Sequence, residues 1–527
     1  MLDKMSTQQR VILAVSLAFL FYVLYAYFFI PRQPVVSNQN ATKMEFNTNK
    51  VPQTSDISVV KAVPSSQNSE TNEVITYIKS DEFEIHIDKF GRISRYFLNG
   101  ENFKDDNGQR IQLIDESFNL LPLEVRFSDT NLYKEAFEIS YAASTSEILL
   151  KDEPQTLVLT QKLSDVDVVK KITFTKDKGY IIEVSLSQPK SYFISTGFRP
   201  NQLADGYAFH GAIVKKADGS LEKIDDGDLK KQENFVGAYF AAASDRYYTT
   251  LLASTDENEG IDVSILPVSD KNPNIFIKGK EDLKLQGYIG PKSRAAIYAV
   301  DEKLDDVIEY GFFTLLSKPI FSLLYFIHSK VGNWGWSIVI ITILIRLVLY
   351  PLTYRGMVSM NKIKDLMPKV KELQVKYKDD KQKLNIHMMD LYKKHGANPM
   401  GGCLPILIQI PIFFAIYRVL VNTIELKNAE WILWVKDLAV MDPYYILPVA
   451  MGLTMFLQQK ITPSNFADPT QEKIMKFLPL IFTIFFLWFP AGLTLYWFVN
   501  NLFSIAQQMY VNRIFKNKKA AAIKEKA

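Results

Sequence analysis

The sequence of 527 residues predicts a polytopic α-helical membrane protein of six spans, five of them forming a C-terminal core, with a large all-β sandwich domain on one side of the membrane. Three observations carry that expectation. Long apolar runs cluster at the extreme N-terminus and after about residue 335. Short alternating segments with dense turn signals fill the region between. Basic residues gather in one segment between apolar runs and again in the C-terminal tail. The net charge of +4 says little by itself, whereas its placement orients the chain.

Val11–Ile30 supplies about the twenty apolar residues that a spanning helix needs, with Lys4 and Arg10 ahead of it. A secretory signal peptide competes. The run is long for one, however, and its end, Tyr27-Phe-Phe-Ile-Pro-Arg32, lacks a small-x-small cleavage site. Residues 1–30 therefore read as an uncleaved anchor with its N-terminus in the cytoplasm. From 31 to 73 the composition shifts to Gln, Ser, Asn, Thr and Pro, which cannot bury enough apolar area to fold, so this is a linker.

Residues 74–305 read as the sandwich. Phe83 to Leu98 gives two strands around a Gly turn. Val168–Thr175 and Tyr180–Leu186 form a hairpin about Lys-Asp-Lys-Gly179. Turn signals at this density favour an antiparallel sandwich over α/β. Next, 306–332 holds an amphipathic helix with a broad apolar face (Phe312, Phe313, Leu316, Ile320, Leu324, Ile327). It is read as lying on the outer leaflet, with a buried helix of the sandwich as the alternative.

The core, 333–515, has spans at about 334–354, 403–421, 443–460, 474–489 and 491–510, the last two joined by the turn Phe489-Pro-Ala-Gly492. A helical hairpin occupies 355–400 and a basic tail 516–527. The hairpin carries Lys362, Lys364, Lys369 and Lys371 among many cations, while loop 422–442 offers only Lys427 and Lys436 against four carboxylates. The positive-inside rule makes the basic segments and both termini cytoplasmic, with the sandwich outside. Trp334, Trp336, Trp431, Trp434 and Trp488 fall at outer ends, as an aromatic belt requires. Within the hairpin, Ile363, Leu366, Met367, Val370, Leu373 and Tyr377 recur at helical spacing. Asp379-Asp380 breaks the run, and Leu384, Met388, Leu391 and Tyr392 resume it. A solvated face explains most of its lysines; ribosome or lipid-headgroup contact is the residual.

Several chemistries are excluded. The lone Cys403 permits no intramolecular disulfide, and His86, His210, His328, His387 and His395 show no metal spacing. No nucleophile elbow or Gly-rich phosphate loop appears, and the spans hold no nucleophile–base pair or paired aspartates. Neither an enzyme nor a cofactor is expected.

Arg346 is the singular residue. It sits in the run from Trp334 to Tyr350, and no predicted span offers it a carboxylate. A guanidinium at mid-bilayer costs at least about 2.5–3.5 kcal/mol, so it faces a bundle interior or a wet cavity. At 1.5 Å per residue Arg346 and Gln409 lie roughly 18 Å from the outer surface and Asn500 about 15 Å. Thr342 is one turn from Arg346, and Asn500, Ser504 and Gln507 follow i, i+4, i+7 spacing. Interhelical hydrogen bonding is the plain reading of these residues. A hydrated groove open toward the cytosol is the sharper one.

Asn333-Trp-Gly-Trp-Ser-Ile, Ile345-Arg-Leu with Tyr350-Pro-Leu-Thr, Asn398-Pro-Met-Gly-Gly-Cys-Leu-Pro405, Gln409-Ile-Pro-Ile-Phe413, Asp442-Pro-Tyr-Tyr-Ile-Leu-Pro448 and Phe489-Pro-Ala-Gly-Leu together resemble the YidC membrane protein insertase family. The resemblance covers essentially the whole chain, in the Gram-negative bacterial form that carries an outside domain. It implies a five-helix insertase core in the inner membrane, a periplasmic β-supersandwich with no enzymatic role, and a cytoplasmic hairpin. The family's groove Arg maps onto Arg346, its neighbouring Thr onto Thr342, and aromatic positions of the last span onto Tyr496 and Trp497. Where some relatives carry a second Tyr this chain has Trp497, so hydroxyl chemistry is not assumed there.

The implied function is admission of hydrophilic segments of nascent membrane proteins into the groove and release of their apolar helices into lipid. The implied partners are nascent membrane proteins, the ribosome, the Sec translocon (SecYEG, SecDF) and membrane lipids, with no specific nucleic-acid binding. An anion or solute transporter and an envelope scaffold are the alternatives. The first is disfavoured by the absence of an internal repeat, the second by Arg346.

Overall fold

The computed structural model describes residues 73–524, apart from 101–102, 105–107, 201–207, 257–258, 268–271, 280, 379, 399–403 and 463–468. The expected anchor, the linker up to residue 72, Asp379, Cys403 and the last three residues lie outside the described residues. The chain divides into two compact units, one ending at Val307 and the other beginning at Ile308.

The first unit holds three sheets. One runs in the order Gln112–Ile114, Ile93–Leu98, Phe83–Asp88, Val74–Lys79, Glu147–Leu149. The largest, of nine strands, runs Leu221–Asp225, Gly211–Lys215, Phe240–Ser244, Tyr248–Ser254, Leu283–Pro291, Gly179–Leu186, Asp167–Phe174, Gln155–Lys162, Ala142–Ala143. The third runs Glu233–Ala238, Ile261–Leu266, Asn274–Gly279, Tyr192–Ser195, Val125–Phe127. Among the described strands one pair is parallel, Val74–Lys79 with Glu147–Leu149. Strict alternation buries one face: in Asp167–Phe174 the side chains of Val168, Lys170, Ile172 and Phe174 point inward.

Two short helices interrupt the all-β pattern. α1 (Thr130–Ala136) is capped by Asp129, whose carboxylate accepts the Asn131 and Leu132 N–H groups. α2 (Arg294–Val300) is capped by Ser293. Neither offers a long apolar period, so alternation counts pass over them.

Both expected hairpins form, with one correction. In the turn between Asp167–Phe174 and Gly179–Leu186 the left-handed residue is Lys178 (φ 65°), not Gly179. Gly179 instead opens the strand and faces Val300. In that costly conformation the buried Lys178 ammonium pairs with the exposed carboxylate of Glu82. In the first hairpin Gly91 does take positive φ (65°), and Asp88 Oδ1 gathers the Phe90 and Arg92 N–H groups.

Lys170 is the odd member of the core. It is fully buried, and its ammonium donates to the carbonyls of Gly91 (3.1 Å) and Leu123 (2.9 Å) beneath the Tyr141 ring. Arg92 nearby bridges Asp88 and Glu124. Burial pushes the Lys170 amine down to about 7, with Asp88 and Glu124 pulling the other way and Arg92 reinforcing the fall.

The second unit is helical. α3 (Thr314–Val331) ends at Gly332 in the left-handed conformation, and Asn333 caps α4 (Trp334–Val348) through the Trp336 N–H. α5 (Tyr350–Lys376) follows after a 64° bend. This corrects the expected straight span 334–354. Pro351 has no N–H and its ring collides with the carbonyl four residues back, so the helix restarts with Pro in its first turn. α5 is also the first arm of the hairpin, which therefore begins at Tyr350 rather than 355. α6 (Lys381–Lys394) is the second arm, and Ile363, Leu366, Val370, Tyr392 and Ala397 form the hairpin's core.

Then come α7 (Leu404–Asn422), α8 (Ile446–Ile461), α9 (Pro469–Phe486) and α10 (Ala491–Lys524). In the last, helix continues without a break past the expected span 491–510 and into the basic tail, as far as Lys524. α10 packs on α4, α5, α7 and α8; α9 packs on α8, and α3 on α4 and α7. Gly335 lets Trp431 close on α4, and Gly452 lets Thr483 of α9 close on α8. Among the described residues, Gly311–Val331 passes by length and composition as a single spanning helix, and α4 with α5 passes as a bent pair. The apolar parts of α7, α8 and α9 (Ile408–Asn422, Ile446–Ile461, Lys476–Phe486) are shorter.

Lys170 sets a pH dependence for the β unit. Between pH 7 and the ordinary lysine value the unfolded chain binds more protons at this residue than the folded one, so stability rises with pH across that window. Below about 7 both states are charged and the contribution is flat. Thermal unfolding of the full chain followed by far-ultraviolet dichroism, from pH 7 to 10, should show that rise. Lys170→Met should flatten it.

Candidate functional site

Three helices bring the candidate residues together. α4 carries Thr342 and Arg346, α7 carries Gln409, and α10 carries Tyr496, Trp497, Asn500, Ser504 and Gln507. Side chains four apart share a helix face, so Tyr496 and Asn500 stack one turn apart on α10. Each takes a partner from a different helix. Asn500 Oδ1 accepts from Arg346 Nε at 2.6 Å, and the Tyr496 hydroxyl accepts from Gln409 Nε2 at 2.8 Å. Residues separated by 87 and 154 positions thus meet on one spine.

Arg346 is nine-tenths buried, and its contact to Asn500 is its one hydrogen bond among the described residues. The bond uses Nε. Both terminal nitrogens keep their donors, and neither is sealed from a probe the size of water. A neutral amide oxygen orients the guanidinium without neutralising it.

The other members differ in what they have to spare. Thr342 and Ser504 are buried, and their hydroxyls are spent on their own helices, donating to Ile338 O (2.6 Å) and Asn500 O (2.8 Å). Trp497 turns away from the polar side: it meets Phe413 edge-on at 4.7 Å and lies against Phe482 and Phe486. One residue is 100° of helix, which separates it from Tyr496. Gln507 is buried, and neither its Nε2 nor its Oε1 has a partner among the described residues.

A second polar column escaped the sequence reading. Asn501 donates to Thr454 of α8 at 3.3 Å. Asn512 receives both Asn361 of α5 (2.9 Å) and Gln508 (2.8 Å) and donates to Ile461 O (3.2 Å). Its signal was present as Asn501 and Gln508, seven apart and one residue out of phase with the first stripe. Together they tie α8 and the hairpin's first arm to α10.

In the hairpin, Lys364, Lys369 and Lys371 are exposed, and Lys362 donates to Gly396 O at 3.2 Å. Asp380 caps α6 through the Lys383 N–H. At the opposite end of the bundle Asp442 is buried and accepts the Tyr444 and Leu447 N–H groups, fixing the start of α8. Backbone bonds from Ala491 to Val440 and from Gly492 to Leu438 fasten the preceding loop to α10. Trp336 packs on Trp431 there, and Trp334 stacks on His328. Arg418, passed over in the sequence, flanks Gly311 together with Glu309. Among the described residues no group of three metal-ligating side chains comes together.

Comparison with known proteins places this geometry. A family model described as the 60Kd inner membrane protein matches residues 326–519, and one described as the YidC periplasmic domain matches 76–323. The chain is 49% identical over 510 residues to the membrane protein insertase YidC of Campylobacter jejuni, covering 96% of each. It is 48% identical over 524 residues to that of Wolinella succinogenes, covering 99% of this chain and 97% of the relative. With the Helicobacter pylori protein (strain 26695) the identity is 42% over 544 residues and 98% of each chain.

Two substitutions separate the partnered from the self-satisfied groups. Asn500→Leu strips a buried cation of its hydrogen bond and should cost about 1.5–3 kcal/mol. Ser504→Ala removes a bond internal to one helix and should cost under about 0.5 kcal/mol. Thermal midpoints of the detergent-solubilised variants check both, and equal losses would contradict the assignment of Asn500 as Arg346's support.

Proposed function

The chain belongs to the YidC family of membrane protein insertases, and from that premise we propose that it inserts nascent membrane proteins through a hydrated groove beside Arg346. Thr342, Gln409, Tyr496, Asn500, Ser504 and Gln507 line the polar side of that groove, and Trp497 belongs to its apolar wall. The observation that carries this reading is the guanidinium held, among the described residues, by Nε alone, which leaves its terminal donors uncommitted there.

The physics is that of shortening a dry path. A hydrophilic segment crossing bare lipid loses the hydration of every peptide group, at several kcal/mol for each unsatisfied one. A wet groove reaching mid-membrane removes part of that cost. Arg346 gives the segment's carboxylates or carbonyls a temporary partner. The client's apolar helix then slides between the spans into lipid, and its burial drives the step. No nucleotide and no covalent chemistry is required.

The chain is an inner-membrane protein with a periplasmic domain. Six spans are proposed: the N-terminal anchor with α4, α7, α8, α9 and the first part of α10. α3 then lies on the outer leaflet, exposing Leu315, Leu323 and Phe326, with Phe312 of the preceding turn, while Phe321, Leu324 and Ile327 pack inward. Parity supports that placement. A crossing by α3 would put the lysine-rich hairpin on the same side as the β domain, against the positive-inside rule. Both termini are then cytoplasmic, and the exposed Lys364, Lys369 and Lys371 face the ribosome, lipid headgroups and the Sec translocon (SecYEG, SecDF).

The test places a photo-crosslinking residue at Thr342, with another at the exposed apolar Ile484 as control, against stalled ribosome–nascent chains of a small single-span protein. Crosslinks from Thr342 that come and go with nascent-chain length are expected. Adducts to lipid alone at both positions would refute the groove as the client's route.

A further inference from the structure

Gln507 is the exception on the polar face of α10. Asn500 is joined to Arg346, Ser504 to its own helix, Tyr496 to Gln409, and Gln508 to Asn512. Gln507 is equally buried, yet its carboxamide has no partner at either atom among the described residues. A buried polar group without a partner is destabilising, and an apolar side chain of this length would avoid the penalty at both atoms. The residue stands seven positions after Asn500 on the same helical face, about 10.5 Å nearer the hairpin by helical rise.

The free groups define the ligand's chemistry. A carboxamide presents one acceptor and one donor side by side, so it pairs in full with a group offering both on one side. A lipid phosphate offers acceptors alone and would leave Oε1 unpaired. A client carboxylate has the same defect and is better served by Arg346. One residue of unpaired, extended main chain supplies its N–H and its C=O on the same side.

Resting on the groove reading above, we propose that Gln507 is a main-chain receptor. It takes one residue of the entering hydrophilic segment in extended conformation, that residue's N–H to Oε1 and its C=O to Nε2, before the segment reaches Arg346. Such a contact is independent of client sequence. It accepts extended chain and refuses formed helix, whose peptide groups are already paired. It also makes the empty core less stable than the occupied one, which favours opening to a client over tight closure.

The test is a coupling experiment on the full chain in phosphatidylethanolamine–phosphatidylglycerol vesicles. Wild type and Gln507→Met are each given a single-span client whose hydrophilic tail carries one amide-to-ester replacement, scanned along the tail. The ester removes the N–H and keeps the side chains. At one or two tail positions the ester should slow insertion several-fold in wild type and hardly at all in Gln507→Met, and Gln507→Met should melt no lower than wild type. Equal ester penalties in the two proteins, with length-dependent Thr342 crosslinks intact, would overturn the receptor and leave the groove standing. Loss of those crosslinks would remove both. A midpoint lowered by several degrees in Gln507→Met would mark the amide as structural and overturn the proposal.

Discussion

The helical unit is organised by a single constraint: a polar group placed between apolar helices must find a partner on another helix or remain a liability. α10 meets that constraint for its neighbours. It supplies Asn500 to Arg346 of α4, Tyr496 to Gln409 of α7, Asn501 to Thr454 of α8 and Asn512 to Asn361 of α5. Lipid provides no hydrophobic driving force between helices, so these bonds and close contacts at Gly335 and Gly452 set which helix lies beside which. The arrangement stops short of full satisfaction: among the described residues Arg346 bonds through Nε alone and Gln507 has no partner.

The bend before Pro351 has a consequence for the cytoplasmic side. Because α5 is at once the continuation of α4 and the first arm of the hairpin, the Asn361–Asn512 bond connects the hairpin to the same helix that holds Arg346. A force on the basic hairpin is therefore delivered to α10 through backbone helix and a side-chain amide. That is a mechanical link between the place where a client would first be met and the place where it would be bound.

Much of the architecture was legible in the chain. Apolar run length located α7 and α8 to within a few residues, and the turn at Phe489–Gly492 marked the end of α9 and the start of α10, because hydropathy and proline are local properties. Alternation located the paired strands for the same reason. Legibility failed where two signals overlap. At 334–354 an unbroken apolar run hid a bend that Pro351 alone announced. After 510 the shift to basic residues read as a tail although helix propensity continues to Lys524. In the turn before Gly179 the residue type favoured glycine for positive φ, but Lys178, whose ammonium pairs with Glu82, takes it one position earlier.

For the site, the chain alone determined that Arg346 lacks a carboxylate in its spans, that Gln409 and Asn500 lie near its level, and that α10 carries a polar stripe. Depth follows from counting residues at a fixed rise, and a stripe follows from a fixed period. Pairing does not follow from either. Whether Asn500 meets Arg346, whether Trp497 faces an amide or Phe413, and whether Gln507 finds a partner all depend on each helix's rotation about its axis. That rotation is decided by long-range packing, in contacts between residues 47 to 154 positions apart, and only the tertiary structure contains it.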